Sequence, residues 1–421
     1  MRGILHVLAG VLRACLALVL FAGGAAAQYD IFIGDVPLPG DVAVADSIEG
    51  TLSGVWIGRW NTGRHHILVV EEIGEEIGED GRADVVYAVG RDWSNGGNWL
   101  RTEATVAGDV LTITEGPFRV RYMLSPTGRL RGVLREDERF AILERVDLSE
   151  PLASTSARGT FAVGDSYTLE TDLVEDGRRI DLEAVVYRPP GEGPFPLALV
   201  HHGSTGDGRR PDRFDEVWTN DWLGDLLNEH GWIAAFPQRR GRGGSDGLYD
   251  EGFADDRTEG YAPDAARSLP GAERALGDAN AALAALRDWP DVAPGPVLLG
   301  GASRGGVVAI MQAGADSEGT AGVLNFVGGW TSEGWGEATI NPILFRRIES
   351  FDGPILSIYG EDDPFYSVAH SRANLEEFEA RRATSQLHVV EVPGFQNGHW
   401  VLSTPTLWDD VVREFLGALS E

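Results

Sequence analysis

The chain has 421 residues, 43% of them hydrophobic, and sets 35 Lys plus Arg against 65 Asp plus Glu for a formal net charge of −30. Such a length exceeds one average domain and supports two folded units. The acidic balance, carried without a single lysine, speaks against a nucleic-acid partner or an anionic membrane surface, either of which would call for a basic stripe.

Residues 1–27 open with Arg2, continue through a run rich in Leu, Val and Ala, and end at Ala25-Ala26-Ala27 before Gln28. That pattern predicts a cleaved signal peptide and an exported protein, periplasmic or secreted. Arg13 interrupts the apolar run and keeps it below membrane-spanning length, so no membrane anchor is expected after signal cleavage. Cys15 is the only cysteine and lies inside this segment, so the mature protein would be held by its core without disulfides.

Residues 28–150 are expected to form a small β-barrel-like domain. From Gly54 to Val146 the runs "GVWIGRW", "HHILVVEEI", "ADVVYAVG", "NWLRTEATV", "DVLTITE", "FRVRYML", "RLRGVL" and "RFAILERV" alternate apolar and polar residues between Gly, Asn and Asp breaks. Period-two alternation marks half-buried antiparallel strands, and eight of them suggest a barrel or a sandwich. Its tryptophans suggest a carbohydrate-binding surface or, more simply, packing. Residues 151–158, inside the small and polar stretch "SEPLASTSARG", read as a linker.

Residues 159–421 change period. Strand-like runs such as "PLALVHHG", "WIAAFPQ", "PVLLGG", "VLNFVGG", "PILSIYG" and "LHVVEVP" alternate with amphipathic stretches, among them "GAERALGDANAALAALRDW". Strand and helix in alternation predict an α/β fold with a mostly parallel eight-stranded sheet covered by helices on both faces.

The stretch "GGASRGG" places Ser303 in a G-x-S-x-G pattern between a strand and a helix beginning near Arg304. At such a turn the serine takes strained backbone angles that lift its hydroxyl above the sheet, and its neighbours must be glycine for lack of room. A serine hydroxyl needs a base to become a nucleophile. His399 in "GFQNGHW" follows the last strand and supplies an imidazole. Asp363 in "GEDDPFYS" supplies the carboxylate that would fix its tautomer, with Glu361 and Asp362 as rivals. For the developing oxyanion, the backbone N–H of Arg304 and that of Ser204 or Gly203, in "VHHGSTG", are the expected donors. Trp330, Trp335 and Trp400 follow strands near this edge and are candidate substrate-binding residues.

Other candidates read more plainly. His201 and His202 are neighbours on a strand and so face opposite ways, which argues against a zinc pair, and His65-His66 fail likewise. "RRGRGGSDG" lacks the lysine of a P-loop and the third glycine of a dinucleotide turn, so no cofactor and no metal is expected. The acidic loop from Gly247 to Asp264 is a solvated connection or a cover for the site entrance.

Taken together, "VHHG", "QRRGRGGSDG", "GGASRGG", "YGEDDP" and "NGHW" in this order resemble the α/β-hydrolase superfamily over about residues 159–421, closest to the dienelactone-hydrolase-like and prolyl-oligopeptidase-like esterases and peptidases. Dienelactone hydrolases proper use a cysteine where this chain has Ser303, and prolyl-oligopeptidase-type enzymes carry a far larger N-terminal propeller. The arginine directly after the serine resembles glucuronoyl esterases. The resemblance implies a Ser-His-Asp hydrolase acting on a small-molecule or polymer-derived carboxylic ester. A peptidase or amidase on small peptides and an inactive hydrolase-fold binding protein are the alternatives, and the sequence leaves oligomeric state open.

Overall fold

The computed structural model describes residues 31–33, 35–42, 51–74, 81–90, 97–134, 139–146, 163–379, 385–392 and 397–419. The expected signal peptide and linker lie outside them. The chain divides into two compact units, Met1–Gly132 with Leu143–Ala162 and Val133–Ile142 with Val163–Glu421.

The first unit starts with a hairpin of β1 (Ile31–Ile33) and β2 (Val36–Leu38). Eight strands follow, with Val133–Leu134 and Arg139–Ile142 of the last two counted in the second unit: β3 (Gly54–Trp60), β4 (His65–Gly74), β5 (Gly81–Val89), β6 (Asn98–Ala107), β7 (Val110–Glu115), β8 (Phe118–Leu124), β9 (Leu130–Leu134) and β10 (Arg139–Val146). They close into a barrel in the order β10-β3-β4-β5-β6-β7-β8-β9, which removes both sheet edges. The period-two pattern explains the two faces. Val55, Ile57, Ile67, Val69, Val86 and Ala88 share one face and pack under Val36 and Leu38 of the hairpin. Trp56, Trp60, His66 and Tyr87 alternate with them on the other face. There Trp60, Tyr87 and Tyr122 lie with ring centroids 5.2, 4.7 and 5.8 Å from His66. Trp56 and Trp60 are both buried, so these two tryptophans serve packing and offer no surface platform.

The second unit holds β11 (Asp165–Leu169), a small hairpin of β12 (Val174–Glu175) and β13 (Arg178–Arg179), β14 (Leu182–Tyr187), β15 (Leu197–His201), α1 (Asp221–Glu229), β16 (Ile233–Pro237) and α2 (Ala265–Arg287). It continues with β17 (Val297–Ala302), α3 (Arg304–Ala315), β18 (Thr320–Phe326), α4 (Ile340–Phe345), β19 (Ile355–Gly360), α5 (Val368–Glu379), β20 (Ser385–Val390) and α6 (Asp409–Leu419). The sheet order is β11-β14-β16-β15-β17-β18-β19-β20.

The sheet is mixed, with an antiparallel edge beside its parallel strands. β11 pairs β14 and β14 pairs β16 antiparallel at one edge, while the pairings from β16 across to β20 are parallel. β15 and β17 are runs of apolar and small residues buried along nearly their whole length, as strands sandwiched between covering layers must be. Asn220 caps α1 by accepting from the Leu223 amide at 2.9 Å, and Asp264 caps α2 from the Arg267 amide at 3.1 Å. α2 buries Ala272, Ala275, Ala279, Ala282, Leu283 and Leu286 at helical spacing. The alternation thus delivers the carboxyl ends of β15, β17, β18 and β19 to one edge, where ligands of such sheets bind.

Candidate active site

Ser303 connects β17 to α3 with φ 55° and ψ −121°, a conformation that costs a non-glycine residue free energy. Its amide donates to the Phe326 carbonyl at 2.9 Å, and its own carbonyl accepts from the amides of Gly306 at 3.0 Å and Gly329 at 3.2 Å. The flanking glycines are there for room: a Cβ on Gly301 would collide with the Gly305 carbonyl, and one on Gly305 with the His201 carbonyl. Strain gathers at this edge. Among the described residues four non-glycines have positive φ, and three of them, Ser303, Val327 and Asp362, follow directly or nearly so on β17, β18 and β19. The free amides and partial positive charge at the start of α3 lie beside the Ser303 side chain.

Asp363 and His399 are brought together. Asp363 Oδ2 lies 2.9 Å from His399 Nδ1, and the other oxygen accepts from the amides of Phe365 at 2.8 Å and Tyr366 at 3.1 Å. The turn therefore fixes the carboxylate before the imidazole reaches it. With Nδ1–H donated to a carboxylate, the neutral ring carries its lone pair on Nε2. The rivals separate by burial: the Asp363 side chain is fully covered, whereas Glu361 and Asp362 are exposed. His399 stands against the Phe365 ring at 4.8 Å and the Tyr366 ring at 5.6 Å, and its side chain stays 19% exposed.

Gly203 lies against the serine, since a Cβ there would sit 3.2 Å from both Ser303 Cβ and the Ala302 carbonyl oxygen. His202 orients this peptide. Its Nε2 accepts from the Arg239 amide at 3.1 Å, so Nδ1 carries the proton and donates to the Gly203 carbonyl at 2.8 Å. Burial, then the Arg239 charge, holds the His202 pKa well below the ordinary value, which keeps this tautomer neutral. In a trans peptide the Ser204 N–H points opposite to that carbonyl and away from His202. The Ser204 hydroxyl donates to the Gly206 carbonyl at 3.1 Å.

Arg304 is not a solvated helix residue. Its guanidinium is buried over the rings of Tyr261 at 3.7 Å and Trp330 at 4.6 Å, and donates to the carbonyls of Trp330 and Glu251, each at 3.0 Å. Glu251 also accepts from Arg239 Nε at 2.5 Å. Burial works to raise the Glu251 pKa, but the charges of Arg239 and Arg304 outweigh it and hold the carboxyl below its usual range. The acidic loop is thus anchored by one buried glutamate together with the packed rings of Tyr249, Phe253 and Tyr261. Sequence reasoning missed this brace because a single carboxylate inside an acidic run looks like any other.

Trp330 is buried beneath Arg304, so its ring is occupied there, while Trp335 and Trp400 are about half exposed, as is Phe365 beside His399. The fully buried His201 bonds Gln312 at 2.8 Å. Among the described residues no group of three His, Cys, Asp or Glu side chains is arranged for a metal. Tyr366 was also missed. It follows Asp363 in the same turn, is buried, and packs its ring against His399.

Solved structures that match part of the chain include the esterase Pf2001 of Pyrococcus furiosus, at 15% identity over 61% of this chain and 90% of that one with a TM-score of 0.41. Est1E of Butyrivibrio proteoclasticus matches at 14% identity over 60% and 98%, with a TM-score of 0.40. An S-formylglutathione hydrolase of Agrobacterium tumefaciens matches at 16% identity over 60% and 94%, also at 0.40. No curated protein matches the chain. Family membership stands instead on the sequence pattern of the dienelactone hydrolase family, which matches residues 183–397 and so spans β14 to the turn before His399. With more than half of its length matched in this way, the chain belongs to the dienelactone hydrolase family.

Proposed function

We propose that the protein is an exported serine hydrolase that cleaves carboxylic esters through Ser303, His399 and Asp363. The observation that carries this reading is the 2.9 Å contact between Asp363 Oδ2 and His399 Nδ1, because it leaves the opposite ring nitrogen as a base at the sheet edge where Ser303 is held in its strained turn. In this reading His399 Nε2 takes the Ser303 proton as the oxygen bonds to the ester carbonyl carbon. The carbonyl oxygen, now anionic, is held by the amide of Arg304 and that of Ser204 or Gly203. The imidazolium then gives its proton to the departing alcohol and leaves an acyl-serine. Water repeats the sequence, its proton passing to His399 and then back to Ser303 as the acid departs.

The exposed Trp335 and Trp400, with Phe365 beside the imidazole, favour an ester with a large neutral acyl or alcohol group. The net charge of −30 disfavours anionic ones. Residues 1–27 serve as the export signal in this reading, and the mass of the mature protein at Gln28 would check it.

The test is to expose the purified mature enzyme to a fluorophosphonate probe, then to a nitrophenyl ester and a peptide anilide in parallel. Labelling at Ser303 with preferential turnover of the ester is expected. Preferred cleavage of the anilide would make it a peptidase, and absence of labelling would leave a binding protein on a hydrolase fold.

A further inference from the structure

The proposed oxyanion donors come from two segments, the start of α3 with the Arg304 amide and the Gly203-Ser204 stretch after β15, and one side chain from outside both ties them together. Glu251 Oε1 accepts from Arg239 Nε at 2.5 Å, and Oε2 lies 3.5 Å from Arg304 Nη1, which also donates to the Glu251 backbone carbonyl at 3.0 Å. Arg239 extends the hold to the other segment. Its Nη2 donates to the His202 carbonyl at 2.9 Å and its amide to His202 Nε2 at 3.1 Å, while His202 Nδ1 donates to the Gly203 carbonyl at 2.8 Å. That carbonyl shares one rigid peptide with the Ser204 N–H. The main chain behind Glu251 is fixed in turn. A Cβ on Gly271 of α2 would collide with the peptide between Glu251 and Gly252, and Asp250 Oδ1 accepts from the amides of Gly252 at 3.1 Å and Phe253 at 3.2 Å. Among the described residues Glu251 is the only carboxylate paired with either guanidinium, and the side chains of Arg239, Glu251 and Arg304 are 2%, 3% and 4% exposed.

We propose that Glu251 is a positioning residue that sets the distance between the two oxyanion donors, acting through Arg304 on one side and through Arg239 and His202 on the other. The inference rests on the serine-hydrolase reading above. Charge balance alone does not account for the arrangement, because one carboxylate between two buried guanidiniums leaves a positive charge over. A shared carboxylate does, however, fix how far apart its two partners stand. Donors aimed at an oxyanion are worth most when each meets it at about 2.7–3.1 Å. The uncharged carbonyl of the bound ester gains far less from them, so an error in their spacing falls on kcat and leaves KM almost alone.

The experiment compares full-length mature wild type with Glu251→Gln, which keeps an acceptor oxygen for Arg239 but removes the charge that both guanidiniums share. Each enzyme is given a nitrophenyl ester and the matching thionoester, whose C=S sulfur is a poor hydrogen-bond acceptor and so draws little from an oxyanion site. Rates are taken per serine labelled to completion by a fluorophosphonate, which removes any loss of folded enzyme from the comparison. The expected result is a drop in kcat on the oxygen ester of about a hundredfold, a drop on the thionoester of less than about tenfold, and KM within about threefold. The preference for oxygen over sulfur therefore collapses. A merely structural role would slow both esters alike and leave their ratio where it was, and that outcome overturns the proposal, as does turnover of both within threefold of wild type. Should Glu251→Gln fail to fold, Arg239→Lys serves in its place. It keeps the charge beside Glu251, but one ammonium cannot reproduce the fork that holds Glu251 and the His202 carbonyl together, and the same fall in ratio is expected. If wild type itself is not labelled at Ser303, it is the serine-hydrolase reading that fails.

Discussion

Two histidines, one in each unit, show how differently the same side chain can be surrounded. In the barrel, His66 is completely buried, and both ring nitrogens are engaged, Nδ1 with the Ala88 carbonyl and Nε2 with the Tyr122 hydroxyl, each at 2.7 Å. Three aromatic rings surround it. In the α/β unit, His399 commits Nδ1 to Asp363 and keeps its ring partly open to solvent. A saturated imidazole with no access can only hold structure. A half-saturated one keeps a ring nitrogen available to move a proton, which is what the proposed function asks of His399.

That contrast is sharpest in kinetics. Ser303→Ala removes the proposed nucleophile at a position whose backbone angles alanine shares with serine. It should lower kcat on a nitrophenyl ester by about 10⁶-fold, as loss of a triad serine does elsewhere, while the melting temperature stays as it was. Asp363→Asn keeps the shape but favours the wrong imidazole tautomer, and about 10⁴-fold is expected. A Ser303→Ala enzyme retaining a tenth of wild-type turnover would place the chemistry on another side chain.

A smaller effect separates the two kinds of glycine in the α/β unit. Gly305→Ala would drive a Cβ into the His201 carbonyl, which is backbone and has nowhere to go. Overpacking of this sort costs about 1–3 kcal/mol, or roughly 2–4 °C in melting temperature for each kcal/mol in a unit of this size. Gly277, inside α2, has nothing within 4 Å of where its Cβ would lie. Gly277→Ala should therefore stabilise by up to about 1 kcal/mol. Thermal melts of both variants check the pair, and equal melting temperatures would mean that the turn relaxes around the added methyl.

Much of this was written locally in the sequence. The alternating runs from Gly54 to Val146 became eight barrel strands because a two-residue period sets faces directly. Choosing a closed barrel over a sandwich depended on β10 meeting β3, a pairing between residues far apart in the chain. The strained Ser303 turn was legible for the same local reason, since glycines crowd where backbones do. Asp363 could be told from Glu361 and Asp362 only by burial, which three adjacent acids do not reveal. Trp330 was read as a candidate substrate-binding residue and Arg304 as an oxyanion donor through its amide, yet their side chains form a buried stack with Tyr261. That contact joins three segments, and no period in any one of them announces it.

Acid gives the last way to test the comparison. Burial holds the His66 pKa down to about 4, against an ordinary value of 6.5. The folded barrel therefore refuses a proton that the unfolded chain accepts. Above pH 6.5 both states are neutral at this site and stability is unaffected. As pH falls from 6.5 toward 4 the unfolded state gains protons first, and the barrel loses about 1.4 kcal/mol per pH unit from this one residue. Amide exchange of β3, β4 and β5 measured at steps between pH 7 and pH 4.5 should show protection falling on that slope after correction for the intrinsic rate. In His66→Gln, which has nothing to titrate, the slope should flatten even though the variant starts less stable. If the two slopes coincide, His66 takes up its proton inside the folded barrel, and the reading of it as a sealed structural imidazole fails while that of His399 as a base stands.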